Sequence, residues 1–236
     1  MAHVDLPAHA GALGIGFDFD HTLGIDNKLE RVAFLHLLER IQGAGGSPVG
    51  TLNEEIERID ALLVAQRSGA CSIEAAVERY VRAHGIDDVT GYVDAYKTIA
   101  LASVEAFVVP LPGVASLLGQ LRTREIPYAI LTNGWSPLQQ RKAACIGFDG
   151  PVLVSSDIAA RKPDRPAFEG LARALGLRPA DVAYVGDSPS IDVIGARAAG
   201  MIGVWLDAEG AIYPQDAPQP SAVIHNLHQV LGVVRP

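Results

Sequence analysis

The second half of the chain alternates short apolar stretches with amphipathic ones. Four segments are short, apolar and bounded by turn residues, as buried parallel strands are: 127–131, 151–154, 182–185 and 203–206. Four stretches carry apolar residues at helical spacing: 114–121, 138–146, 167–175 and 191–199. Because strands that alternate with helices form right-handed crossovers, we predict a doubly wound α/β core with a parallel sheet covered on both faces. Its ligand site should lie at the carboxyl ends of the strands.

A different pattern follows the apolar stretch at residues 13–17, which predicts the first strand. Apolar residues then recur at helical spacing, as in Val32, Leu35 and Leu38, in Ile56, Ile59 and Leu63, and in Ala76, Val77, Tyr80 and Val81. Breaks at 43–48 and 85–88 divide this region into helices. We therefore predict an α/β core of residues 1–24 and 109–236 and an inserted helical domain of residues 25–108.

Composition places the chain among globular proteins. Of its 236 residues, 49% are hydrophobic and 19% are charged. Acidic residues outnumber basic ones by 27 to 19, and the formal charge of -8 argues against binding a nucleic-acid polymer. No apolar run is long enough for a membrane span, and Met1 to Gly11 lack the features of a signal peptide. We expect a cytoplasmic protein without a membrane partner, and the sequence does not indicate its oligomeric state.

Two carboxylates follow the first predicted strand. Asp18 and Asp20 flank Phe19 directly after residues 13–17. Alternate side chains of an extended chain lie on the same face, so the turn that follows can direct both carboxylates into one site. Two anions that close are costly unless a cation or a proton offsets them. The pair therefore predicts a metal-assisted site.

Three further polar clusters follow later predicted strands. Thr132, Asn133 and Gly134 precede a predicted helix start with Ser136 as the N-cap. Arg161 and Lys162 precede a proline, and 186–192 contains two more aspartates. Alone, each cluster has an ordinary explanation as a capped turn, a solvated lysine or a helix cap. Together, the carboxyl ends of one sheet would bring together Asp18, Asp20, Thr132, Lys162 and Asp187.

The order of these motifs resembles that of the haloacid dehalogenase-like hydrolase superfamily. The sequence has D-x-D-x-T from Asp18, a strand-end Thr132, Lys162 before proline, and G-D-S-x-x-x-D ending at Asp192. The resemblance implies a Rossmann-like core, and the inserted helical domain resembles the cap domain of many members. Segments 110–113 and 132–140 are most similar to pyrimidine 5′-nucleotidases and sugar-phosphate phosphatases. We therefore expect a phosphatase that acts on a small phosphorylated metabolite, either a nucleoside monophosphate or a sugar phosphate.

The resemblance assigns catalytic roles to the first two aspartates. Asp18 would be the nucleophile, because a carboxylate is ionised at neutral pH and needs no general base. The product of its attack would be an aspartyl phosphate. Asp20 would protonate the leaving alkoxide and then take a proton from the attacking water. Mg²⁺ would lie between the phosphate and Asp18, Asp187 and the backbone carbonyl of Asp20, with Asp192 orienting a water on the metal.

The remaining candidates surround the phosphoryl group. Lys162 would pair with the nucleophile and with the transferring group, while Thr132 and Asn133 would donate hydrogen bonds to its oxygens. Thr22 would hold the loop geometry. We expect His21 to point away from the site, because side chains alternate in direction around the turn.

Three alternative functions stay open at this stage. A 2-haloacid dehalogenase also uses a strand-end aspartate, but its halide leaving group needs no proton, so Asp20 favours a phosphate ester. A phosphomutase would retain the intermediate through cap contacts that the sequence does not reveal. A receiver-like regulatory domain has similar residues, but it is about half this length and its acidic pair lies on a different strand from the phospho-acceptor. No residue of the cap can be matched to a leaving group: Lys28, Arg31, Arg67 and Tyr80 are candidate substrate contacts and are equally well explained as surface residues.

Overall fold

The computed structural model describes residues 11–208 and 210–234, and the chain divides into two compact units. The first unit comprises Met1–Ile25 and Val109–Pro236, and the second comprises Asp26–Val108. The expectation about a signal peptide falls almost wholly on residues 1–10, outside the described residues. None of the described helices is long and apolar enough to span a bilayer. The cytoplasmic location stays a prediction.

The described part of the first unit contains eight strands. In chain order they are β1 (Gly14–Phe17), β2 (Gly24–Ile25), β3 (Val109–Pro110), β4 (Tyr128–Thr132), β5 (Val152–Val154), β6 (Val182–Gly186), β7 (Ile202–Leu206) and β8 (Ala222–Ile224). Six of them form a parallel sheet in the order β5-β4-β1-β6-β7-β8. Strands β2 and β3 form a separate antiparallel pair. The parallel sheet with flanking helices confirms the predicted α/β fold class.

Burial explains why the central strands are visible in the sequence. All residues of β1 and of β6 are buried, because neighbouring strands and flanking helices cover them, so these strands consist of continuous apolar runs. Each of the four later predicted strands lies within one residue of β4, β5, β6 or β7 at both ends. Strand β8 was not predicted, because three residues at the sheet edge are too few to show a period.

The described second unit is helical. It contains α1 (Leu29–Gly43), α2 (Leu52–Ser68), α3 (Ile73–Ala83) and α4 (Tyr92–Phe107). A capping box begins α2, in which the Thr51 side chain accepts from the Glu54 backbone N–H and the Glu54 side chain accepts from the Thr51 backbone N–H. The Phe34 ring lies 5.1 Å from the Tyr80 ring and 4.5 Å from the Tyr96 ring, measured between centroids. These aromatic contacts join α1, α3 and α4 into one core.

Helix α1 buries a different face from the one that we predicted. Val32, Leu35 and Leu38 are only half-buried. The residues that are fully buried are Leu29, Ala33, Phe34, Leu37 and Ile41. These residues also follow helical spacing, so periodicity alone offers two overlapping apolar faces. Packing of Phe34 between two tyrosine rings decides between them.

Three of the four candidate substrate contacts are engaged within the second unit itself. Tyr80 is fully buried, and its hydroxyl donates to Glu55 at 3.2 Å. Arg31 Nε donates to Asp60 Oδ1 at 2.8 Å, and Arg67 lies 3.4 Å from Glu30. The expectation that Tyr80 contacts a substrate is therefore wrong, because its side chain belongs to the core of this unit. Lys28 is exposed.

The first unit also carries five α-helices among its described residues. They are α5 (Val114–Thr123), α6 (Leu138–Cys145), α7 (Ser155–Ile158), α8 (Arg165–Ala174) and α9 (Ile194–Ala198). A π-helical turn at Pro189–Val193 precedes α9, and 3₁₀ helices lie at Pro179–Asp181 and Leu227–Val233. These elements surround the sheet and position the loops that leave its carboxyl ends.

The predicted N-cap of α6 is wrong. The helix begins at Leu138, its N-cap is Pro137, and no side-chain cap is present. The hydroxyl of Ser136 instead donates to the carboxylate of Asp157 and accepts a hydrogen bond from Gln140 Nε2 at 2.6 Å. The Ser136 hydroxyl, which the local sequence predicts as the cap of α6, is therefore bonded to Asp157 of α7 instead.

Candidate active site

Asp18 is the first residue after β1, in the middle of the parallel sheet. Its backbone N–H donates to the carbonyl of Val185 at 2.9 Å, which fixes the chain at the strand end. The carbonyl of the fully buried Phe19 then accepts the N–H groups of Leu23 at 2.8 Å and Gly24 at 3.0 Å. This tight turn holds the polar residues that follow β1 at the carboxyl edge of the sheet.

A buried lysine joins two of the aspartates. Lys162 Nζ lies 2.7 Å from Asp18 Oδ1 and 2.7 Å from Asp192 Oδ1, and its side chain is only 2% exposed. Burial alone would lower the pKa of Lys162, but the two carboxylates outweigh it and raise this pKa well above its ordinary value. Lys162 therefore carries a positive charge directly beside Asp18.

Asn133 positions this lysine through its backbone. Asn133 Nδ2 donates to the carbonyl of Lys162 at 2.9 Å, and Asn133 Oδ1 accepts the backbone N–H of Lys162 at 3.0 Å. Thr132, the last residue of β4, lies next to it with only 2% of its surface exposed. One hydrogen of the Asn133 amide is therefore used to hold Lys162, and the predicted role of Thr132 and Asn133 towards phosphate stays a prediction.

Three carboxylates come together beside Asp18. One oxygen from each of Asp18, Asp187 and Asp192 lies within 4.8 Å of the others. A Cβ added to Gly186 would come 2.3 Å from Asp192 Cγ, so only glycine permits this close approach. Asp192 Oδ2 accepts the backbone N–H of Ser188 at 3.0 Å. The loop after β6 thus directs two aspartates towards the end of β1.

The negative charge of this cluster exceeds what Lys162 offsets. Burial, together with the charges of Asp192 and Asp20, raises the pKa of Asp18 to about 6 although Lys162 opposes the change. Burial and the charge of Asp18 also raise the pKa of Asp187 to about 6. A divalent cation would remove this imbalance, and an all-oxygen donor set is what Mg²⁺ prefers. The residues therefore fit the predicted magnesium site.

Asp20 lies outside the cluster of three carboxylates that the described residues form. Its Oδ1 accepts a hydrogen bond from Lys142 Nζ at 2.6 Å. The Lys142 side chain is fully buried, whereas 31% of the Asp20 side chain is exposed. Lys142 Nζ also lies 4.9 Å from the centroid of the Phe19 ring. The two aspartates of D-x-D-x-T therefore face different cations.

Thr22 and His21 follow Asp20 in the turn after β1. The buried hydroxyl of Thr22 has no hydrogen-bond partner within residues 11–208 and 210–234, and its backbone nitrogen lies 3.2 Å from the Phe19 carbonyl oxygen, so its role in holding the loop stays a prediction. His21 lines a cavity of about 330 Å³ together with Asp187, so the expectation that it points away is wrong. Its φ of 58° is left-handed, and the alternation of an extended chain does not apply there.

A family model of haloacid dehalogenase-like hydrolases matches residues 13–200, which contain every site residue described above. The chain belongs to this hydrolase family. The family that the motif order resembles is therefore confirmed.

Several characterised proteins are similar to this member of the family. Phosphoserine phosphatase of Thermus thermophilus is 35% identical over 123 residues, which are 50% of this chain and 49% of that protein. A pyrimidine 5′-nucleotidase of Escherichia coli is 32% identical over 126 residues, which are 51% of this chain and 55% of that protein. The chain thus spans about half the length of the curated relatives that it matches.

Solved structures show the same fold. A 2-haloacid dehalogenase from Pseudomonas syringae has a TM-score of 0.74 at 24% identity, with 93% of this chain and 96% of that chain covered. A phosphatase of the family from Thermococcus onnurineus has a TM-score of 0.69 at 23% identity, with 94% and 99% covered. A dehalogenase and a phosphatase are both similar in structure, so the fold does not distinguish their reactions.

Sequence reasoning missed two residues of this hydrolase site. Lys142 lies four residues after the buried Leu138, and this helical spacing is a signal that it faces inwards. Trp205 on β7 donates from its indole Nε1 to the backbone carbonyl of Asp187 at 2.9 Å. No sequence signal predicts that contact, because it depends on the register between β6 and β7.

Proposed function

We propose that this protein is a Mg²⁺-dependent phosphomonoesterase that acts through an aspartyl phosphate on Asp18. The observation that carries the proposal is the separation of the two aspartates that flank Phe19. Asp18 lies beside Lys162 and the other carboxylates, whereas Asp20 is held by Lys142. This separation supports a division of roles in which Asp18 attacks phosphorus and Asp20 transfers the proton.

Attack by a carboxylate oxygen of Asp18 forms a bond to phosphorus. The bond between phosphorus and the leaving oxygen breaks, and protonated Asp20 gives its proton to that oxygen. Water then attacks the phosphorus of the aspartyl phosphate, and the carboxylate of Asp20 takes a proton from it. The bond to Asp18 breaks and inorganic phosphate leaves. Lys162 offsets charge beside the nucleophile throughout, because it keeps its proton.

Asp18, Asp187 and the backbone carbonyl of Asp20 would hold the Mg²⁺ ion. When bound, the ion supplies positive charge that lets an anionic phosphate approach these carboxylates. Asp192 is suited to an outer position, because its two oxygens already accept hydrogen bonds from Lys162 and from the Ser188 backbone. Thr132 and Asn133 supply donors at the end of β4 for the phosphoryl oxygens.

The leaving group is a small metabolite in this proposal. Relatives named as a phosphoserine phosphatase, a pyrimidine 5′-nucleotidase and a hexitol phosphatase support a phosphorylated small molecule. A nucleoside monophosphate is favoured over a sugar phosphate on the resemblance of residues 132–140 alone. The helical unit Asp26–Val108 is proposed to act as the cap that selects this leaving group. A haloacid substrate is disfavoured, because a halide leaves without a proton and the reaction would not need Asp20 as a general acid.

The test is phosphate release from a panel of nucleoside monophosphates, sugar phosphates and phosphoserine. We expect turnover with Mg²⁺ and none in excess chelator, with activity restored by adding Mg²⁺ back. Chloride release from 2-chloropropionate and isomerisation of a sugar phosphate without phosphate release are measured in parallel. Turnover in either of these assays, with no phosphate released from the panel, would replace the phosphatase proposal by a dehalogenase or a mutase.

A further inference from the structure

A fully buried ammonium group lies next to the residue proposed as the acid. Lys142 projects from α6, and its Nζ lies 2.6 Å from Asp20 Oδ1, although 122 residues separate the two in sequence. The lysine side chain has no exposed surface, whereas 31% of the aspartate side chain is exposed. The contact therefore anchors one carboxylate oxygen from the protein interior and leaves the carboxyl group accessible from outside.

Burial of a lysine needs an explanation beyond packing. Removing an ammonium group from water is costly, and an apolar side chain of similar volume at such a position is often equally or more stabilising. Leu138 fills the neighbouring position on the same helix face and is fully buried. The cation also lies over the ring of Phe19, the residue that joins the two aspartates. Its contacts converge on the loop that carries both catalytic groups.

We propose that Lys142 is a positioning residue that fixes the Asp20 carboxyl group through Oδ1, so that Oδ2 carries the transferred proton. This inference rests on the proposed phosphatase function. As the bond between phosphorus and the leaving oxygen breaks, the proton on Oδ2 passes to that oxygen, and Asp20 is left as a carboxylate. Oδ1 stays hydrogen-bonded to Lys142 before and after the transfer, so the carboxyl group does not rotate between the two steps.

The role predicts a dependence on the leaving group that packing alone does not. An alkyl phosphate needs a proton on its leaving oxygen, whereas p-nitrophenyl phosphate leaves as a stable phenolate. In Lys142→Met, kcat/KM for the alkyl phosphate should fall by about 10- to 100-fold, while kcat/KM for the aryl phosphate should change by less than about 3-fold. Lys142→Arg keeps a donor near Asp20 and should lie between wild type and Lys142→Met.

A matched control is available in the second unit. Lys97 Nζ lies 2.5 Å from Glu74 Oε1, so Lys97→Met also removes a lysine–carboxylate pair. It should leave the alkyl-to-aryl ratio unchanged. The double variant Asp20→Asn with Lys142→Met should have the same kcat/KM for the alkyl phosphate as Asp20→Asn alone, because Lys142 then has no acid to position.

Each outcome separates this inference from the proposed function. Equal losses on both substrates in Lys142→Met would show a purely structural role and overturn the inference. If the thermal melt shows that Lys142→Met does not fold, the test uses Lys142→Arg instead. An alkyl-to-aryl ratio of kcat/KM equal to that of the wild type in Lys142→Arg would then overturn the inference. Absence of phosphate release by the wild-type protein from both substrates would instead contradict the phosphatase proposal itself.

Discussion

Asn133 holds the backbone of Lys162 at both of its polar atoms. Its side chain donates to the Lys162 carbonyl at 2.9 Å and accepts from the Lys162 N–H at 3.0 Å. The residue after β4 is thereby tied to the loop before α8, across 29 positions of sequence. Lys162 contacts Asp18 through its side chain. The position of this cation beside the proposed nucleophile therefore depends on the side-chain amide of Asn133, which directly follows β4.

Asn133→Ala removes both of these hydrogen bonds. We expect unfolding free energy to fall by about 1–3 kcal/mol, since each bond contributes about 0.5–1.5 kcal/mol. We also expect kcat/KM to fall about 10- to 100-fold, because Lys162 is no longer fixed beside Asp18. Steady-state kinetics and thermal melts measure the two effects. Asn133→Asp keeps the acceptor and loses the donor, so it should be intermediate, and a wild-type rate in both variants would contradict the positioning role.

Asp18→Asn tests the nucleophile. Phosphate release should fall by at least about 1000-fold, because an amide does not form the covalent intermediate. The protein should stay folded, since Lys162 keeps its contact with Asp192. Fluoroberyllate with Mg²⁺ should raise the melting temperature of the wild type and not of Asp18→Asn. Activity near that of the wild type would remove Asp18 from the mechanism.

The sheet and its strand-end residues could be predicted because burial on both faces leaves a simple signal. Strands β4, β6 and β7 are continuous apolar runs, and each lies within one residue of its predicted range. Once their order is known, Asp18 and Asp187 must both lie at the carboxyl edge, because parallel strands end on the same side. The acidic cluster then follows from topology.

Contacts that depend on side-chain direction could not be predicted in the same way. Lys142 is a charged residue in an amphipathic helix, and such residues are ordinarily solvated. Its burial depends on Asp20, which lies far away in sequence. His21 departs from its expected direction because its φ is 58°, a value that alternation along a strand does not anticipate. The local pattern fails for His21, whereas for Lys142 the helical spacing from Leu138 indicates the buried face and only the partner, Asp20, depends on the tertiary fold.

Trp205→Phe tests the support of Asp187. The substitution keeps an aromatic ring and removes the N–H that reaches the Asp187 carbonyl at 2.9 Å. We expect the Mg²⁺ concentration for half-maximal activity to rise about 10-fold, because groups that orient a metal ligand affect metal affinity by about 10- to 100-fold. Tyr213→Leu is the control, since the Tyr213 ring packs 5.1 Å from the Trp205 ring without touching this hydrogen bond. An equal rise of this Mg²⁺ concentration in both variants would show that packing around Trp205, and not its indole N–H, supports Asp187.

The stability of the helical unit should depend on pH through Glu55. The side chain of Glu55 is 3% exposed, and its oxygens lie 3.0 Å from His84 Nε2, 3.2 Å from the Tyr80 hydroxyl and 3.9 Å from Arg58 Nε. Burial alone would raise the pKa of Glu55, but hydrogen bonds from the Val49 N–H, from His84 and from Tyr80 together hold it below its ordinary value of 4.5.

A carboxylate whose pKa is lowered by folding stabilises the folded state above its unfolded pKa. The contribution of Glu55 is therefore fully present above about pH 4.5 and is lost as the pH falls through the lowered folded value. Thermal melts of Glu55→Gln should lie below those of the wild type at pH 6, and the gap should shrink towards pH 3. Glu57→Gln changes an exposed residue of the same helix and should give a small gap at every pH. A Glu55→Gln gap that stays constant from pH 6 to pH 3 would contradict the assignment, because the ionised carboxylate would then contribute nothing that protonation removes.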